Sequence, residues 1–282
     1  MKSLVSITHF CLAALAISSL QFAAGGDRPL TYTKFDPDAQ QVEMFQGMEE
    51  GLIEVKLIPK DAQSGNIVFT NKQKNPVNVQ IPEGFVAVPA NAQFGQQGIG
   101  GTGGIGGIGG TGGSGGGGSQ NQSMGGGMGG MGGGMMGGMG GGGMGMFSIP
   151  AEKSVVVPFT SVCLEHGKKD PHSRIPYDIV PMEKVTQDPV LQTLIKLVGT
   201  GKLDPQSAQA AAWHVANDMS WQELATKSQR HLGGYPDTPY FHPAQLMQAQ
   251  RIVAAAVQIA EEEKEEQQDD APRTSRTSRV SN

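Results

Sequence analysis

Cysteine is nearly missing from this chain: 282 residues contain two, Cys11 and Cys163. Cys11 falls in an N-terminal apolar run, so once that run is removed Cys163 has no partner and an intrachain disulfide is excluded. Stability must then come from a core. Positive charge is also short, with 21 Lys and Arg against 26 Asp and Glu, a formal charge of -5. That balance argues against nucleic-acid binding, which needs a concentrated positive surface. Beyond the N-terminus no stretch is apolar enough to span a bilayer. A last absence is local: MGGGMGGMGGGMMGGMGGGGMGM, at 124–146, has no charge, aromatic or proline.

What is present begins with an address. Lys2 is a positive start, LVSITHFCLAALAISSLQFAA follows without a Lys, Arg, Asp or Glu, and Ala23, Ala24, Gly25 and Gly26 offer a cleavage site. This is the pattern of a secretory signal peptide over 1–25. An uncleaved anchor is the rival reading, since the run is almost long enough to span, but Ser6, Thr8, His9, Ser18, Ser19 and Gln21 dilute it. The small residue that a lipoprotein cysteine needs before it and the twin arginines of folded export are both missing. The expected location is secreted or periplasmic, with no transmembrane segment after cleavage.

A polar lead-in, 26–50, precedes residues 52–58 (LIEVKLI), where Ile53, Val55 and Leu57 alternate with Glu54 and Lys56, the period of a half-buried strand. NIVFT at 66–70 and VNVQI at 77–81 read as a hairpin around NKQKNP. FVAV at 85–88, FSI at 147–149 and SVVVPFTSVC at 154–163 complete the set. Four short strands before the glycine tract and two after it favour a small antiparallel β-sandwich over 51–163, interrupted by an insertion at 96–146 that joins 85–88 to 147–149.

That insertion holds most of the chain's 42 Gly. It has no helical or alternating period, and ordering glycine costs so much backbone entropy that a few Met side chains do not offset it, so a disordered loop is expected. Lengthening a loop from about six to about fifty residues costs only roughly 2 kcal/mol, which a sandwich can carry. The alternative uses the thioethers: Met124, Met128, Met131, Met135, Met136 and Met139 are soft ligands suited to Cu(I), although no His or Cys lies within the tract. The Gly-Gly-Met pattern resembles the flexible tails of bacterial chaperonins, which implies mobility and no chaperonin function.

After Cys163 the period becomes helical. Asp188-Pro189 and Asp204-Pro205 each supply an N-cap followed by proline at the first helical position. Val190, Leu191, Leu194, Ile195 and Val198 share one face before Gly199 and Gly201 end the first helix. Ala208, Ala211, Ala212 and Val215 give the second a flat face of small residues. Ser220 with Glu223 is a capping box for a short third helix, and residues 231–242 form a loop. Pro243 opens a long helix carrying Leu246, Ala249, Val253, Ala256, Val257 and Ala260, whose acidic end opposes the helix dipole and should fray. A compact α-helical domain over 164–268 and a disordered tail over 269–282 are expected, making the whole an α+β protein.

The densest polar cluster is VCLEHGKKDPHS, with Cys163, Glu165, His166, Asp170 and His172. As a zinc site, C-x2-H-x5-H has only three ligands at no standard spacing. As a nucleophile, Cys163 would need activation by an imidazole such as His166. The structural alternative buries Cys163 where its strand ends. Trp213, His214 and Trp221, close together on the second and third helices, read as packing.

Two resemblances bear on these residues. SVCLEHGKKDP together with QSAQAAAWHVANDMSW is similar to the Cys and Gln-x-Ala motifs of bacterial thioester domains, with Ala208 where those have threonine. The resemblance implies that Cys163 and Gln209 would form the cross-link. Over most of the chain, GLIEVKLIPKD, GNIVFTNK, PVNVQIPEGF, VPFTSVCLEHG, PYDIVP and AQAAAWHVANDMSWQELA resemble uncharacterised exported proteins of planctomycete-type bacteria, which implies the two-part architecture and the compartment but no catalytic residue. The function expected is a non-enzymatic structural or protein-interaction module of the envelope or secretome, without cofactor. An envelope or extracellular protein would be the partner, met through the amphipathic C-terminal helix. Cu(I) binding by the Met tract and thioester or thiol chemistry at Cys163 are the alternatives.

Overall fold

The computed structural model describes residues 28–31, 33–90, 121–128, 145–231, 233 and 235–269. The expected signal peptide, most of the Gly/Met tract and the tail from 270 onward lie outside the described residues.

Strand-forming sequence closes into a barrel. β1 (Gln40–Glu43) leads into the short helix α1 (Met44–Glu49), followed by β2 (Ile53–Pro59), β3 (Ser64–Asn71), β4 (Val77–Gln80) and β5 (Phe85–Pro89). β6 (Met124–Gly127), β7 (Met146–Ile149), β8 (Ser154–Cys163) and β9 (Tyr177–Val180) complete the β part. The barrel order is β2-β3-β8-β6-β5-β9, with β9 returning to β2 through Leu57 and Tyr177. Its neighbours are antiparallel throughout. β1, β4 and β7 form a separate three-stranded sheet in which β1 and β4 run parallel.

The alternation of side chains on β5 and β8 divides two cores. Phe85, Ala87, Val155, Val157 and Phe159 face the barrel interior with Leu57, Ile67, Phe69 and Ile179, and the small sheet adds Val77, Val79, Phe147 and Ile149. Phe69 meets Phe147 edge-on at 5.0 Å, and Phe85 meets Phe159 at 5.9 Å. The alternate residues Val86, Val88 and Val162 face the helices.

Those helices are α2 (Pro189–Gly199), α3 (Pro205–Asn217), α4 (Trp221–Thr226) and α5 (Pro243–Asp269), with a two-stranded ribbon of β10 (Ser228–Gln229) and β11 (Thr238–Pro239) between the last two. Each start is set by its cap. Asp188 accepts from the Val190 N–H at 2.9 Å, Asp204 from Ser207 at 2.8 Å, and Ser220 with Glu223 forms the full capping box. α5 lays Leu246, Ala249, Ile252 and Ala256 into the helical core, so the apolar face assigned above to a partner is spent inside the molecule. Among the described residues no helix is long and apolar enough to cross a membrane.

Several expectations need correction. The β part is a closed barrel with a small mixed sheet instead of a sandwich. β3 and β4 do not form a hairpin: β3 pairs with β2 and β8, while β4 pairs with β1 and β7. The lead-in over 26–50 supplies β1 and α1, and Leu30 bridges to Val155. β9 comes from residues beyond 163 that read as irregular, because the alternation in YDIV is only four residues long. Most important, MGGG at the start of the Met-rich repeat is a fully buried barrel strand.

Candidate functional site

The polar cluster of VCLEHGKKDPHS lies where β8 ends, β6 begins and α3 crosses the barrel wall. β6 lies between β5 and β8, with Met124 opposite Cys163 and Gly127 opposite Thr160. Its glycines are dictated by what passes close by. A Cβ on Gly126 would sit 2.0 Å from the Thr160 carbonyl oxygen, and one on Gly127 would sit 2.9 Å from the Cα of Gly199 at the end of α2. The loss of backbone entropy that argues against ordering glycine is met by hydrogen bonds on both edges and by contact with helix α2, which no side chain would allow.

A clasp holds the entry to that strand. The Glu165 carboxylate accepts from the Ser123 N–H at 2.9 Å and from its hydroxyl at 3.1 Å, and it pairs with Lys168. Asp170 accepts from Gln122 Nε2 at 2.7 Å, its backbone carbonyl accepts from Asn121 Nδ2 at 2.7 Å, and the Tyr177 hydroxyl donates to the Gln122 carbonyl at 2.9 Å. The acidic members of the cluster therefore fix Asn121–Gln122–Ser123. The sequence signal for this was the polar NQS that breaks the glycine tract just before Met124.

Cys163 and Gln209 do come together, though by way of the backbone. Gln209, 2 % exposed, accepts from the Cys163 N–H through Oε1 at 2.8 Å and donates through Nε2 to the Cys163 carbonyl at 2.8 Å. Strand β3 has its last ladder partner at Thr160, so this edge of Cys163 faces no strand, and the carboxamide supplies the donor and acceptor that a neighbouring strand would. The thiol is 1 % exposed. Burial pushes its pKa well up, reinforced by the carboxylates of Asp170, Glu165 and Asp61. A protonated, buried thiol is a poor nucleophile and a poor metal ligand.

His166 is directed elsewhere. Its Nε2 is 2.9 Å from Lys227 Nζ, and its ring meets Trp213 edge-on at 4.8 Å. Burial lowers the His166 pKa, the Lys227 ammonium lowers it further, and Glu223 opposes both. Lys227 lies over the rings of Trp213 and Tyr240 at 5.2 and 5.1 Å, a cation–π arrangement. Burial lowers its pKa, with Asp170 opposing. Nothing in the surrounding ATKSQ announced Lys227 as part of the cluster. His172 is exposed and accepts from the Arg174 N–H at 3.3 Å. His214 stacks on Trp221 at 4.1 Å, and Trp213 is buried in the helical core, so these aromatic residues pack as expected.

Of the methionines considered for Cu(I), Met124 and Met128 are buried in the barrel core, and the Met124 sulfur accepts from the Ser161 hydroxyl at 3.9 Å. Met131, Met135, Met136 and Met139 lie outside the described residues. Among the described residues no group of three or more His, Cys, Asp or Glu is placed to hold a metal ion. Comparisons of the chain with protein-family models, with curated proteins and with solved structures found no match.

Proposed function

We propose that this protein is an exported, non-enzymatic structural or protein-interaction module of the bacterial envelope or secretome. The N-terminal leader supports export. The observation that carries the non-enzymatic reading is the pair of 2.8 Å bonds between Gln209 and the Cys163 peptide: the Cys163 cluster, the densest set of catalytic residue types among the described residues, spends its carboxamide and its carboxylates on holding β8 and β6. Contact with a partner would fall to exposed apolar side chains such as Tyr235, between β10 and β11, and Met247 on α5, which are 73 % and 57 % exposed.

Alkylation of the native protein tests the first half. Cys163 should stay unmodified until denaturant is added, and rapid native alkylation coupled to turnover in an activity screen would overturn the reading. For the second half, a complex formed with proteins of the secreted fraction should be lost in a Tyr235→Ala, Met247→Ala variant.

A second reading, thioester chemistry, draws on the adjacency of Cys163 and Gln209. Attack of the thiolate on the carboxamide carbon would release ammonia, and both hydrogen bonds would have to break for the carbon to turn toward sulfur. Intact mass about 17 Da below the sequence value would establish it, and an unshifted mass would remove it.

A further inference from the structure

A cavity of about 320 Å³ lies between the turn that joins β4 to β5, the second half of α2 and the outer part of α5. It adjoins the end of β6 opposite to the Cys163 cluster, through Met128 and Gly199. Its size is at the lower end of small-molecule sites. Ile81, Met128, Leu197 and Ile259 give it an apolar lining.

Two polar features depart from that lining. Thr193 is 2 % exposed, and its hydroxyl has no hydrogen-bond partner among the described residues. A helical threonine ordinarily returns its hydroxyl to a carbonyl in the preceding turn. One that does not, in the wall of a cavity, is open to a partner supplied from the cavity. The second feature is charge. Lys196 Nζ donates to both oxygens of Glu263, at 3.0 and 3.1 Å, and stands 3.7 Å from Glu83 Oε2, beyond hydrogen-bonding distance. One ammonium thus faces two carboxylates, and α5 continues past Glu263 as Lys264, Glu265 and Glu266. The mouth is net negative and attracts cations.

We propose that this cavity binds a small amphipathic cation, with its apolar body against Ile81, Met128 and Ile259, a hydrogen-bonding group at Thr193 Oγ1 and its ammonium at Glu83. An anionic ligand would have to take Lys196 from Glu263, leaving that carboxylate uncompensated.

Tyramine is the probe, and hydroxyphenylpropionate, of similar size with a carboxylate in place of the ammonium, is the control. In the full-length protein with methyl-labelled methionine, tyramine should shift the Met128 methyl resonance saturably. The control should bind roughly tenfold more weakly, the difference between attraction and repulsion at a part-exposed carboxylate. Glu83→Gln, at a 71 % exposed side chain, should weaken tyramine about threefold. Thr193→Val, which keeps the shape, should weaken it about fivefold. No saturable shift at Met128, equal or tighter binding of the carboxylate, or indifference to both substitutions would overturn the proposal.

Discussion

The barrel interior and the helical layer share the wall made by β5, β6 and β8 but are filled in opposite ways. Inside the barrel, Phe69, Phe85, Phe147 and Phe159 fill the space. Outside it, Ala208, Ala210, Ala211, Ala212, Ala249 and Ala256 let α3 and α5 approach closely, and Gly127 meets Gly199 across the wall. The interior is filled by aromatic rings, whereas the α3–α5 contact rests on small residues set among larger ones such as Leu194, Ile195 and Trp213. Large-to-small changes should therefore hurt one side, and small-to-large changes the other.

The strongest test is at the wall itself. Gly126→Ala would place a methyl 2.0 Å from the Thr160 carbonyl oxygen, a backbone contact that rotamer change does not relieve. We expect loss of the cooperative thermal transition, read by circular dichroism; a variant melting within a few degrees of the parent would mean that β6 is not held between β5 and β8. Phe69→Ala comes next. It should lower unfolding free energy by about 3–5 kcal/mol in denaturant titration, and a loss under about 1 kcal/mol would show a barrel core looser than its packing suggests.

Gln209→Ala joins the two regions. It strips the Cys163 peptide of donor and acceptor together, with an expected cost of about 1–3 kcal/mol, while Gln209→Glu can replace both bonds only as the buried protonated acid, so its stability should fall as pH rises. If both variants match the parent, the carboxamide is dispensable to the wall. The smallest effect is pH-dependent. Because the Cys163 pKa is raised in the folded state, the unfolded chain loses that proton first, at about pH 8.5. Above that point the native state holds more protons, so stability falls as pH rises, by up to about 1.4 kcal/mol per unit. Subtracting the profile of Cys163→Ala isolates this slope from Tyr177, Tyr240 and Lys227, and parallel profiles would mean a thiol in contact with solvent.

The helices were readable because their signals are local. Asp188-Pro189, Asp204-Pro205 and Ser220 with Glu223 each sit where the chain starts a helix. Strand β2 was readable from its alternation and β3, β5 and β8 as short runs bounded by turn residues, to within two residues. Their partners were not, since pairing depends on residues far apart in sequence. β6 was hidden for another reason: three glycines have no side chains from which to read a period, and the condition that requires them, α2 passing against the wall, exists only in three dimensions. The site was legible in part. Cys163 and Gln209 were singled out for covalent chemistry and are neighbours, yet their contact is a substitute for strand pairing. The roles of Glu165 and Asp170 in gripping Asn121–Gln122–Ser123 were not visible until β6 itself was placed.

The position of β6 also bears on the order of folding. β2 and β3 meet across a short turn, but β6 reaches the barrel only after long stretches of sequence on either side have been brought round, and that closure entropy is lost before any ladder bond compensates it. Its glycines leave almost no rotamers to sort, so register rests on Met124 inside the barrel and on the NQS clasp at the rim. Until that strand arrives, β5 and β8 each present an unpaired edge, and such edges accept foreign strands. The hazard to this protein lies in that interval more than in its closed state.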